Sequence, residues 1–300
     1  TEGTLDELVK EKLITNAQKE NLLLTSRIGL ITGENFDLIK AIKTDNVKSL
    51  TDFLGWEKSD WLTVIKEKKI PLPADEDSPE TYADNICKTI EKTFPTHYFL
   101  YRTINNAPVN DYNKLIQQVN IYRHLGIGEI IDRQTTHQKK QEEISIRLTA
   151  LNTFYANNPE INFELSDFSA DLNCKKENGL NWKGVEENLR PLVQRQMAAY
   201  QRAYIMGETY DTSEKLLRGG YDSASIITSL SEEDFIKGSG LGIEKGRRVY
   251  ERAINLAIGA SHYFEAIRDG VRGKFKDITV ANQHPLVNDL KEIDGFDTLF

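Results

Sequence analysis

The chain has 300 residues, with 38 Lys and Arg against 46 Asp and Glu, a net charge of 38 − 46 = −8. That balance repels phosphate backbones and removes the electrostatic basis of nucleic-acid binding. Composition, 28 % charged and 39 % hydrophobic, excludes a disordered chain and a membrane-embedded one. No apolar run approaches the roughly 20 residues of a spanning helix, so direct membrane insertion by these residues is not expected.

Thr1 stands where an initiating Met is absent, and the sequence stops abruptly at Asp297-Thr298-Leu299-Phe300. These ends lead us to expect a segment of a longer protein. Cys87 and Cys174 are too few and too far apart for a disulfide framework or a CxxC metal knuckle, and they read as small buried hydrophobes.

In chain order, Lys48 to Trp61 reads as a short helix, a turn and a capped second helix. The connector Ile70-Pro71-Leu72-Pro73 with Asp75-Glu76-Asp77 follows. Ser78-Pro79-Glu80 then supplies an N-cap serine, a first-turn proline and an early acid, and Pro95 ends that helix. Tyr112, Leu115, Ile116, Val119 and Tyr122 share one helical stripe, and Ile144, Leu148, Leu151 and Tyr155 another. Residues 157–181, rich in Asn, Ser and Asp, read as a connector. A helix through Val185, Leu189, Leu192, Val193, Met197, Tyr200 and Tyr204 starts or kinks at Pro191. Asp211-Thr212-Ser213 opens a short helix closed by Gly219-Gly220, and Ser223 and Ser231 open the next two. Val249, Ala253, Leu256, Ala260, Phe264, Ile267 and Val271 predict a final helix over 244–271, about 40 Å long at 1.5 Å per residue. No run shows the strict alternation of a strand. The expected fold is all-α, a multi-helix bundle of long amphipathic helices and short capped hairpins. It divides into an N-terminal lobe, 1–159, a connector, 160–181, and a C-terminal lobe, 182–300.

One internal similarity stands out. Lys48-Ser49-Leu50-Thr51-Asp52-Phe53 with Ser59-Asp60-Trp61 resembles Ser225-Ile226-Ile227-Thr228-Ser229-Leu230 with Glu233-Asp234-Phe235. No fixed period continues from it, so it does not predict a repeat array.

Candidate chemistry is sparse. Gly238-Ser239-Gly240-Leu241-Gly242, entering a helix with Lys245, Arg247 and Arg248, has the form of a phosphate-binding turn or of a helix-hairpin-helix DNA motif. It lacks P-loop spacing, and no strand precedes it, so a tight turn between two helices is the favoured reading. The acidic run Asp75-Glu76-Asp77 with Glu80 lacks the mid-loop Gly and closing Glu of an EF-hand. His97, His124, His137, His262 and His284 are scattered, without a metal-binding pair. Trp56 and Trp61 have the spacing of a staple between short helices. No catalytic, cofactor-binding or metal-ligating residue is nominated, and no cofactor is expected.

Three stretches taken together resemble the N-terminal α-helical shell region of Tc (toxin complex, or ABC) insecticidal toxin A components. The first is Ser59-Asp60-Trp61 through Ile70-Pro71-Leu72-Pro73, Tyr82-Ala83 and Phe94-Pro95-Thr96. The second is Asn158-Pro159-Glu160-Ile161-Asn162-Phe163, then Gln201-Arg202-Ala203-Tyr204. The third is Leu216-Leu217, Gly220, Ser223-Ala224, Ile227, Leu230, Phe235 and Tyr250-x-Arg252-Ala253. Over residues 59–300 the resemblance implies a non-catalytic piece of the shell around a translocation channel in a secreted or cell-surface bacterial virulence protein. It also implies partners: other regions and subunits of the same complex, and a host surface reached by the whole protein. The whole protein is expected to form a homo-oligomer and these 300 residues a monomer. A helical binding scaffold in another large secreted or surface protein is the alternative, and a helix-hairpin-helix nucleic-acid module a third.

Overall fold

The computed structural model describes residues 2–274 apart from 45–46, 48, 109–110, 167 and 169–179, and backbone alone at 2 and over 263–274. Helices account for all the regular structure among these residues, with no strand. In chain order they are α1 (Glu2–Lys10), α2 (Asn16–Thr32), α3 (Phe36–Thr44), α4 (Thr51–Leu54), α5 (Lys58–Glu67), α6 (Pro79–Thr93) and α7 (Pro95–Asn105). There follow α8 (Tyr112–Gln117), a 3-10 segment (Val119–Leu125), α9 (Ile127–Asp132) and α10 (His137–Asn157). A 3-10 turn (Glu187–Leu189) leads into α11 (Arg190–Gly207), α12 (Tyr210–Arg218), α13 (Ala224–Thr228), α14 (Glu232–Ser239) and α15 (Ile243–Lys274).

The chain forms two compact units. The first combines residues 1–115 with 151–166, and the second combines 116–150 with 167–300. Segment 116–150 therefore groups with the later helices, whereas the pattern of polar residues suggested one boundary across 160–181. The start of that presumed connector belongs to the first unit's core. There Ile161 and Phe163 are buried, Phe163 N–H donates to Thr96 Oγ1 at 3.0 Å, and its ring meets Phe99 edge-on at 5.6 Å.

In unit 1 the core runs from Leu24, Ile28 and Ile42 through Phe53, Trp61 and Ile65 to Tyr82, Ile86 and Ile90. Trp61 is fully buried and meets Trp56 at 4.7 Å and Phe53 at 6.2 Å, the staple its spacing suggested. Ser78 caps α6, accepting from Thr81 N–H, with Pro79 in the first turn. Pro95 not only ends α6 but starts α7, where its missing N–H costs nothing.

Unit 2 is centred on Met206, Leu216, Ile227, Phe235, Leu241, Val249 and Ala253. Two sequence expectations change here. The stripe from Tyr112 to Tyr122 is not one helix: α8 stops at Gln117, and Tyr122 leaves helical geometry at φ −113, ψ 21. The fully buried Gln196 holds that break, donating to Ile121 O at 2.9 Å and accepting from Leu125 N–H at 3.3 Å. On α15, Val249 and Ala253 are buried, but Leu256 is 42 % exposed and Ile258 48 %. The inward stripe thus ends after Ala253. Phe264, Ile267 and Val271 lie on backbone whose side chains are outside the described residues.

The two units share an order of helices, α2–α5 in one and α11–α14 in the other, whose starts mostly correspond at an offset of 174. The junctions are not identical, since Gly33 is left-handed and Gly207 is not. The helices α2 and α11 start at equivalent positions, Asn16 and Arg190, and α3 and α12 at Phe36 and Tyr210. Between them Glu34 and Glu208 adopt the same left-handed backbone, φ 59 and φ 60. Asn35 and Thr209 then cap the next helix, accepting from Leu38 N–H and Thr212 N–H. In this register Phe53 corresponds to Ile227 rather than Leu230, correcting the first half of the sequence match. Ile42 and Leu216, Phe53 and Ile227, and Trp61 and Phe235 are pairs of equivalent, fully buried residues. The helices that follow, α6 and α15, each pack back on the first helix of their own set.

Candidate functional site

The turn Gly238–Gly242 is built by packing. Gly240 and Gly242 take left-handed φ values of 65 and 78, which favour glycine. At Gly238 a Cβ would lie 2.4 Å from the Tyr221 hydroxyl, and at Gly246 one would lie 2.9 Å from Ile236 Cγ1. Leu241, between the two left-handed glycines, is buried beside Phe235 and Val249. The turn joins α14 to α15, which pack on each other. Two of its three basic residues are paired from within: Arg247 meets Glu232 at 3.0 Å and Arg248 meets Glu244 at 3.6 Å. A phosphate arriving here competes with those carboxylates, and the first turn of α14 adds Glu233 and Asp234.

The acidic loop does not converge. Glu80 pairs with Lys66 at 2.7 Å, while Glu76 accepts from Asn85 at 3.0 and 3.2 Å. Lys66 holds the Glu80 carboxyl below the usual range through that hydrogen bond. Among the described residues, no three of His, Cys, Asp and Glu stand close enough together to hold a metal ion. Cys87 is half-buried, and burial pushes its thiol up, away from the thiolate that reactivity needs. Cys174 and His284 lie outside the described residues.

Two histidines are structural ties. His97 Nε2–H donates to Pro159 O at 2.6 Å, and burial depresses its pKa despite that bond. His124 Nε2–H donates to Asp222 Oδ2 at 2.5 Å, joining the 3-10 segment to the turn between α12 and α13. Burial alone would raise the Asp222 pKa. The hydrogen bond and charge of His124, with Arg202 and Arg123, outweigh burial and lower it. The pair superficially resembles a base and its orienting acid. The neighbouring Ser223 hydroxyl, however, caps α13 and lies 3.2 Å from Ser225 Oγ, so it is committed to the backbone. Nothing in the sequence pairs residues 98 positions apart, and this tie was not legible there.

The remaining features are surface ones. Leu13, Leu22, Leu30 and Phe36 in unit 1 are 66, 48, 60 and 79 % exposed. No described helix is long and apolar enough to cross a membrane. No family model, no curated protein and no solved structure matches the chain.

Proposed function

We propose that the chain is a structural and interaction module of a Tc-toxin-like A component, a non-catalytic part of a helical shell. The observation that carries this reading is where the residues behind the resemblance sit. Trp61, Tyr82, Ala83, Phe163, Leu216, Leu217, Ile227, Phe235 and Ala253 are all core residues. Pro95 and Ser223 open helices, Gly220 turns at φ 77, and the Tyr250 hydroxyl donates to Leu230 O at 2.8 Å. Core and cap positions build helical packing, which fits the structural role that the resemblance implies. The experiment is electron cryo-microscopy of the whole polypeptide that contains these residues. A homo-oligomer with these helices in the wall around a central channel is expected. A particle without a channel would contradict the proposal and favour a binding scaffold of another kind.

The hairpin α14–Gly240–α15 favours a second reading, a nucleic-acid module. Its paired arginines and the net charge of −8 weigh against it. Electrophoretic titration with duplex DNA distinguishes the two. Sub-micromolar binding abolished by changing Lys245, Arg247 and Arg248 to Ala would establish the second reading.

A further inference from the structure

The last helix, α15, outruns the core it packs on. Its stripe is buried at Val249 and Ala253, but the next two positions, Leu256 and Ala260, are exposed, Leu256 by 42 %. The backbone stays helical to Lys274. By sequence the stripe continues through Phe264, Ile267 and Val271, whose side chains are outside the described residues. An apolar stripe carried about four turns past the core is a face that needs a cover.

The 300 − 274 = 26 residues that follow α15 in the sequence contain a segment with the matching pattern. Pro285 has the place of a first-turn proline and Gly295 that of the residue just past a helix end, which bounds a helical segment over 285–294. Within it Leu286, Leu290 and Ile293 recur at four and three, with polar residues between them. A helix so short is marginal in water unless its apolar side is packed. The segment reaches the stripe. Residues 275–284 span up to about 33 Å at ~3.3 Å per residue. Leu256 lies about 27 Å back along the axis from Lys274, at 1.5 Å for each of 274 − 256 = 18 residues. The charges agree in sign. Residues 285–294 carry one Lys against three Asp and Glu, 1 − 3 = −2, and 261–274 carry three Lys and Arg against two Asp and Glu, 3 − 2 = +1. We propose that residues 285–294 fold back as a helix onto the stripe of α15 between Leu256 and Val271, with Leu286, Leu290 and Ile293 against it. This stands independently of the shell assignment.

Hydrogen exchange of the 300-residue chain, read by mass spectrometry on peptides covering 256–271 and 285–294, tests this. Both stretches are expected to exchange at least ten-fold more slowly than an unstructured peptide. Leu290→Ser with Ile293→Ser should remove the protection of 285–294 and lower that of 256–271 at least ten-fold, while the buried residues of α11 keep theirs. Leu256→Ser with Ile267→Ser should in turn release 285–294. Exchange of 285–294 at the unstructured rate, or protection over 256–271 indifferent to Leu290 and Ile293, would overturn the proposal. So would protection that rises with chain concentration, because a second copy would then be the cover.

Discussion

The helices α2–α5 and α11–α14 follow in the same order with few shared side chains. The identities among them include Ile31 and Ile205, Gly33 and Gly207, Glu34 and Glu208, Asp37 and Asp211, Ser49 and Ser223, and Asp60 and Asp234. Most of these are junction or cap residues, while the core pairs vary, Trp61 against Phe235 and Ile42 against Leu216. The difference teaches where the path is encoded. A left-handed glutamate and capping acceptors recur at the junctions, and the core asks only for apolar volume. The surfaces have then diverged, one to hold the segment 119–125 and one to lie open.

Large-to-small changes in the equivalent core positions should break both units alike. Trp61→Ala and Phe235→Ala are each expected to cost about 3–5 kcal/mol in urea denaturation, because both side chains are fully buried. A large loss at one and none at the other would end the equivalence. The shared glycines sharpen it, since Gly33 and Gly207 are needed for different reasons. At Gly207 a Cβ would sit 2.5 Å from Ser213 Oγ and 2.8 Å from its backbone nitrogen, so Gly207→Ala should cost about 1–3 kcal/mol through overpacking. Gly33 has open space but φ 62, so Gly33→Ala should cost about 1–2 kcal/mol through backbone strain alone.

Acid should weaken the His124–Asp222 tie of unit 2. The Asp222 pKa is lowered in the folded state, so the stability it contributes is present above the unfolded value of about 3.9 and lost as pH falls through the folded one. Denaturation at pH 7 and pH 3 should show unit 2 losing that contribution, and Asp222→Asn should remove its share of the loss. The smallest effect is at a cap. Ser223→Ala should cost about 1 kcal/mol, because its hydroxyl accepts from Ile226 N–H. Ser49→Ala should cost less, because the Ser49 hydroxyl meets Thr51 rather than a backbone donor.

The helical class was legible because period and caps agree: Ser78, Ser223 and Ser231 each cap the helix that follows. The cap of α12 was read two residues late, at Asp211 instead of Thr209, since either residue type satisfies the pattern. The break at Tyr122 was invisible, because Gln196, 71 and 75 positions away from Leu125 and Ile121, causes it. The internal correspondence was caught in only one stretch. Its strongest marker is a pair of glutamates in left-handed backbone, a conformation that residue type does not announce. The Gly238–Gly242 turn was read correctly as packing, since its glycines answer to Tyr221 and to positive φ.

The account rests on the two units being one helical device, and an experimental structure of the 300-residue chain tests that most directly. Superposing 16–44 on 190–218 should bring α2 and α3 onto α11 and α12 with Glu34 and Glu208 both left-handed and Leu22 exposed where Gln196 is buried. Different crossings of the two helix pairs, or a helical or extended backbone at either glutamate, would contradict it.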